Sequence, residues 1–138
     1  MGDKTYSSRD VAKLAKVSFR QLQWWDEQGQ VSPTIDKGAR QYRGDQVIAI
    51  LCLAELRRKG LSFQGIRRVW PELRAKIAIA SLGKSPEDAY LVTDGKRYST
   101  VQYGENMLTC IKAAKTPLWV VSISDQAQRL AKLQARAA

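Results

Sequence analysis

Ser18-Phe19-Arg20-Gln21-Leu22-Gln23-Trp24-Trp25-Asp26-Glu27-Gln28-Gly29 is the stretch that decides how this chain folds. Ser18 with Gln21 three residues later is a capping-box pattern, in which each side chain satisfies a free backbone N–H of the other at a helix start. Gly29 supplies a left-handed stop after the last turn. Leu22 and Trp25 lie three apart and can face inward. Arg20, Gln23, Trp24 and Glu27 fall at i, i+3, i+4 and i+7, which is one other face. The segment is therefore a short helix with a core side and a second side rich in hydrogen-bonding and aromatic groups.

Working outward, Ser8 to Ala15 carries Val11, Leu14 and Ala15 at helical spacing, and Lys16-Val17 makes the turn into the helix at Ser18. Downstream, Asp36-Lys37-Gly38 is turn chemistry between two short extended stretches, Pro33-Thr34-Ile35 and Arg40-Gln41-Tyr42, which predicts a small hairpin. Asp45 is expected to cap a long helix running through Lys59, with Val47, Ile48, Ile50, Leu51, Leu53, Ala54 and Leu56 on a wide buried face and Gly60 after it. Ser62 is the expected cap of the next helix, and Leu61 with Ile66 has the spacing of a hydrophobic staple. Pro71 lacks a backbone N–H and is expected to kink this helix or to open a new one, which runs to about Leu82 before Gly83.

The character of the chain changes after Ser85. Ala89 to Thr93, then Asp94-Gly95, then Lys96 to Val101 reads as a hairpin with a tight type I′ turn. Glu105 to Lys115 reads as a helix with Met107, Leu108 and Ile111 inward. Leu118 to Ile123 is a near-continuous apolar run, expected to be a strand covered on both faces. Ser124 is the expected cap of a last helix from Asp125 to about Arg136. The fold class predicted is mainly α with small β (α+β). A winged helix-turn-helix over residues 1–83 precedes a small β-β-α-β-α module over residues 84–138, with the boundary near Gly83 to Ser85.

Composition narrows the chemistry. The 138 residues contain no histidine and two cysteines, Cys52 and Cys110. That removes histidine bases, Ser-His-Asp and Cys-His systems and every His-containing zinc site. Neither cysteine belongs to a C-x-x-C pair, and both read as small core residues in a reduced, cytosolic chain, with a redox role for Cys110, beside Ile111-Lys112, as the alternative. Acids such as Asp94 and Glu105 fall at a turn and a helix start, where turn and cap roles suffice. No catalytic activity, metal or cofactor is expected. No apolar run approaches the roughly 20 residues needed to span a bilayer, and no secretory leader is expected behind Met1-Gly2-Asp3-Lys4. Lysine plus arginine number 23 against 13 acids, a net charge of +10 that favours a polyanionic partner.

Two helices joined by a tight turn, then a hairpin, then a long helix, describe a winged helix-turn-helix, whose second helix enters the major groove. There Arg20 can address guanine or phosphate and Gln23 adenine. Trp24 offers a ring for sugar or methyl contact and an indole N–H for phosphate. Lys37, Arg40 and Arg43 cluster on the hairpin, where they can flank the DNA backbone or enter the minor groove. On an isolated amphipathic helix these same residues would read as solvated surface with a core tryptophan, and the order of elements argues against that.

The segment from Tyr6 to Gly29 resembles the N-terminal domain of the MerR family of transcription regulators, whose second helix usually reads Val-Ser-x-Arg-Thr-Leu-Arg-Tyr-Tyr-Asp/Glu-x-x-Gly. Arg40-Gln41-Tyr42 matches the family's Tyr-Arg-x-Tyr wing, with Ala39 in place of the first Tyr. Arg57-Arg58-Lys59-Gly60-Leu61-Ser62-Phe63-Gln64-Gly65-Ile66 matches its Leu-Arg-x-x-Gly-Phe-Ser-Leu-x-Glu-Ile pattern. The resemblance implies binding of double-stranded DNA as a homodimer that distorts promoter DNA, with RNA polymerase or another protein as a further partner and a cytoplasmic, nucleoid-associated location. It places Ser18, Arg20, Gln21, Gln23 and Trp24 at the groove or its phosphates, Arg40, Tyr42 and Arg43 in the wing, and Lys59 on a phosphate. Gln23 stands for the usual Arg, Trp24-Trp25 for Tyr-Tyr, and Lys16 for the usual Gly. Three alternatives stand beside this reading: a DNA-binding antitoxin, an excisionase-like recombination factor whose C-terminal module binds a protein, and a small-molecule sensor with Tyr90, Tyr98, Tyr103 and Trp119 around a pocket.

Overall fold

The computed structural model of the protein describes residues 4–80 and 89–137. Its elements run β1 (Thr5–Ser7), α1 (Ser8–Ala15), α2 (Phe19–Glu27), β2 (Thr34–Asp36), β3 (Ala39–Arg43), α3 (Gly44–Arg58), α4 (Phe63–Ala80), β4 (Ala89–Thr93), β5 (Ser99–Tyr103), α5 (Gly104–Ala113), β6 (Trp119–Ser122) and α6 (Ile123–Ala137). The α+β class and the order of elements agree with the sequence reading. The expected boundary near Gly83 to Ser85 lies outside the described residues, as does the expected run of helix on to Leu82.

Helix α3 organises the rest. Ten of its residues are buried, from Gln46 through Ala54 without interruption and again at Leu56. A helix that is apolar on every side must be covered on every side. Helices α1, α4 and α6 and strands β1, β3 and β6 all pack against it. The thiol of Cys52 sits at its centre, and burial pushes its pKa far up, so it stays protonated.

The N-terminal elements form as their local chemistry dictates. Ser7 Oγ accepts from Asp10 N and starts α1; Ser18 Oγ accepts from Gln21 N at 3.0 Å and starts α2. Between them Lys16 takes the left-handed conformation at φ +57. Strands β2 and β3 are joined by Lys37 and Gly38, both at positive φ, the signature of a type I′ turn. The sheet has a third strand that the apolar pattern did not reveal: β1 pairs antiparallel with β3, setting Tyr6 opposite Tyr42.

Several helix starts differ from expectation, and for one reason. Strand β3 runs straight into α3, so the helix begins at Gly44 with Arg43 as its cap residue, and Gln46 Oε1 accepts from Arg43 N at 2.9 Å. Asp45 therefore sits in the first turn, where a negative charge suits the helix dipole, and is not the cap. Likewise β6 runs straight into α6, and Ser122, not Ser124, caps it by accepting from Asp125 N at 3.0 Å. Ser124 Oγ instead accepts from Ala89 N at 2.9 Å and ties α6 to β4. Pro71 opens no new helix: α4 continues through it. Ile66, Val69, Leu73 and Ile77 are all buried, and their packing offsets the lost backbone bond.

The C-terminal module is an antiparallel sheet of order β5-β4-β6. The tight two-residue turn expected at Asp94-Gly95 is not formed. A longer connection over residues 94–98 replaces it, with Gly95 at φ +78. One oxygen of Asp94 accepts the backbone N–H groups of Lys96, Arg97 and Tyr98, and these bonds hold its carboxyl below the usual range. Strand β6 is an edge strand with only Val121 buried, so the two-sided cover expected for it is absent. Helix α5 packs against β5 but has no buried residue. Leu108 and Ile111, expected inward, are 63% and 50% exposed. Cys110 is only half-buried and lies 3.4 Å from the Tyr98 hydroxyl, so it is not the core residue expected.

Helix α6 returns across α3 and joins the two parts. Ile123, Gln126 and Leu130 are buried, and Leu130 and Ile123 belong to the same apolar cluster as Trp25 and Leu51. Arg129 Nη2 donates to Leu14 O at 2.8 Å, and Gln134 Nε2 donates to the Tyr6 hydroxyl.

Lys16 bears a strain that glycine would not. Replacing it should relieve the left-handed cost of about 1–2 kcal/mol, less the added flexibility of glycine in the unfolded chain. Lys16→Gly is expected to raise stability by about 0.5–1 kcal/mol in urea unfolding; a lower midpoint would contradict the conformation assigned to the turn.

Candidate nucleic-acid interface

Helix α2 is held by its ends and its inner side. Leu22 and Trp25 are buried, Ser18 Oγ fixes the first turn, and Gly29 at φ +77 lets the chain leave after Gln28. Arg20 and Gln23 are exposed on the opposite side, free of the core. Ser18 is exposed and Gln21 half-buried at the same end. The structure thus brings Ser18, Arg20, Gln21 and Gln23 to one accessible helix start.

Trp24 is half-buried between this face and the core. Its ring lies 4.5 Å from that of Phe63 at a tilt of 56°, and the Arg57 guanidinium stacks 4.0 Å above the Phe63 ring. Phe63 is 47% exposed and Phe19, at the first position of α2, is 60% exposed. Sequence reasoning did not single out these three residues. The available signal for Phe63 was an aromatic directly after the Ser62 cap, on a helix whose core positions were already filled by Leu61 and Ile66. Arg67 Nη2 reaches Gln28 Oε1 at 3.4 Å and links α4 to the far end of α2.

The hairpin is braced against α2. Arg40 Nη1 lies 3.5 Å from Asp26 Oδ2, both side chains about one-third exposed. Arg43 pairs with Asp45 at 3.1 Å and is 55% exposed. Lys37 is exposed at the hairpin tip. Ion pairs this open contribute about 0–1 kcal/mol, so a phosphate can displace either carboxylate at small cost. Tyr42 is different: it is fully buried in the core, pairs with Tyr6 across the sheet and supports the wing from behind. Lys59 is also engaged, donating from Nζ to Val120 O at 2.7 Å.

A capped helix with an open, hydrogen-bonding face, set by a turn against a first helix and flanked by a braced cationic hairpin, is a winged helix-turn-helix. Residues 6–73 match the family described as MerR HTH family regulatory protein. Those residues are a helix-turn-helix domain of the MerR type. No curated protein matches the chain. Among the described residues no helix is long and apolar enough to cross a membrane, and no group of three or more His, Cys, Asp or Glu side chains is placed to hold a metal ion.

The Trp24–Phe63–Arg57 stack holds Trp24 at the edge of the open side of α2. Phe63→Ala removes an aromatic pair and a cation–π contact and should cost about 1–2 kcal/mol in urea unfolding followed by tryptophan fluorescence. An unchanged unfolding midpoint would show that the stack holds nothing in place.

Proposed function

We propose that the chain is a sequence-specific double-stranded-DNA-binding transcription regulator that works as a homodimer in the cytoplasm and has no catalytic role. The observation that carries this reading is the exposure of Arg20 and Gln23 on a helix whose other side is locked into the core. Arg20 reads guanine or phosphate, Gln23 reads adenine, and Trp24 covers sugar or a thymine methyl. Ser18 and Gln21 approach the phosphate at the helix start. Lys37, Arg40 and Arg43 follow the neighbouring backbone, which fixes register without reading sequence. The family match supports the two further elements: promoter DNA is distorted on binding, and RNA polymerase is met on the distorted duplex. The exposed Leu108 and Ile111 on α5 are apolar surface available to the second subunit.

A second reading has an observation of its own. A cleft of about 570 Å³ opens between β5 and α5, lined by Tyr98, Gln102, Asn106, Cys110 and Leu118 among others. A site of that size with an aromatic wall and amide side chains suits a small planar ligand, which would make the regulator ligand-responsive. Of the aromatics expected around a pocket, Tyr98 lines this cleft; Trp119 lies on a different one.

Selection of bound sites from random duplexes tests the main reading. A palindromic site is expected, its half-sites about one helical turn apart or a multiple of it. Arg20→Ala should cost about 1–3 kcal/mol on the selected site and relax preference at one position of each half-site. Equal loss on every sequence would remove Arg20 from base reading, and a site without symmetry would remove the dimer.

A further inference from the structure

The connection between β4 and β5 is tied to the N-terminal domain. Gly95 packs so closely that a Cβ there would come 3.0 Å from Leu61 Cδ1, at a φ of +78 that side chains rarely adopt. Arg68 Nη1 donates to Lys96 O at 3.1 Å, and Trp119 Nε1 donates to Lys59 O at 3.0 Å. Within the loop, Asp94 accepts three backbone N–H groups; Thr93 Oγ1 accepts from Gly95 N and donates to Tyr98 O. The backbone is fixed, yet Lys96 and Arg97 are exposed, and no carboxylate among the described residues pairs with either.

These two cations face the first turn of α4. Ser62, Gln64, Arg68, Lys96, Arg97 and Trp119 line a cleft of about 530 Å³ between that turn and the loop. Phe63, between Ser62 and Gln64 in sequence, stacks on Trp24 of α2. Phe63 thus joins Trp24 of α2 to the turn whose Ser62 and Gln64 line the cleft with the loop over residues 94–98. Lys59, exposed at the end of α3, donates one ammonium N–H to Val120 O beside the same turn.

We infer that the loop over residues 94–98 is a second DNA-backbone contact, in which Lys96 and Arg97, beside Arg68, take phosphates adjacent to the stretch read by α2. The inference rests on the duplex-binding reading above and gives the C-terminal module a direct part in it. The contact is to phosphate and carries no base information. Because the loop backbone is already held, little ordering opposes the contact.

The test uses the full chain, its selected duplex and a salt titration of affinity. Each phosphate contact adds about 0.9 to the slope of log affinity against log salt. Lys96→Gln with Arg97→Gln should lower that slope by about 1.8 and weaken binding about tenfold at 0.2 M salt, with base preference and urea midpoint unchanged. Lys112→Gln with Lys115→Gln removes the same charge from the α5 end of the module and should leave the slope as it is. A wild-type slope in the Lys96/Arg97 variant, or an equal fall in the Lys112/Lys115 variant, overturns the loop contact while duplex binding stands. Failure of the wild-type chain to bind any duplex overturns the reading beneath it.

Discussion

The burial of α3 on all sides is the constraint on which the rest of the structure depends. Ile48, Ile50, Leu51, Leu53 and Leu56 point in different directions around one helix, and each needs an apolar neighbour. Helices α1 and α4 with the β1-β3-β2 sheet cover part of it, and α6 with β6 covers more. Helix α2 packs on α1, and its anchor residues reach the cluster that α6 helps to close. Trp25 and Leu22 anchor α2 to a cluster that also contains Val121, Ile123 and Leu130. The C-terminal module is thus part of the base on which the interface is built.

That shared base changes how the two parts can communicate. The bonds between them fall beside the candidate interface: Lys59 and Trp119 at the α3–α4 turn, Arg68 and Lys96 at the start of α4, Arg129 and Leu14 at the end of α1. The cleft lined by Tyr98 and Cys110 borders the same loop, since Asp94 contributes to its wall and to that of the cleft facing α4. One short, rigid loop therefore stands between a ligand-sized cavity and a cationic surface.

Much of this was legible in the residues because local signals and tertiary packing agree. Ser18 and Gly29 bracket α2; Lys37-Gly38 turns the hairpin; Leu22 and Trp25 are core as their spacing requires. Where reading failed, strands pass directly into helices with no loop between them, as at Arg43–Gly44, Tyr103–Gly104 and Ser122–Ile123. The cap is then the last strand residue, and a search for Ser or Asp just before an apolar run lands one or two residues late. Strand β1 escaped notice because three residues carry no period. Leu108 and Ile111 misled for the opposite reason: helical spacing marks an apolar face without saying what covers it. In the candidate interface, Arg20 and Gln23 stood out by type and position, whereas Phe63 and Arg57 join it only through a stack formed across three helices.

In the proposed complex the open side of α2 and the adjoining aromatic stack lie against the duplex. Hydroxyl-radical footprinting of the protein, read residue by residue with and without a bound duplex, tests this most directly. Oxidation of Phe19, Trp24 and Phe63 should fall on DNA binding while that of Leu108 and Ile111 stays constant. Full oxidation of Phe19 and Trp24 in the complex, with protection elsewhere, would contradict it.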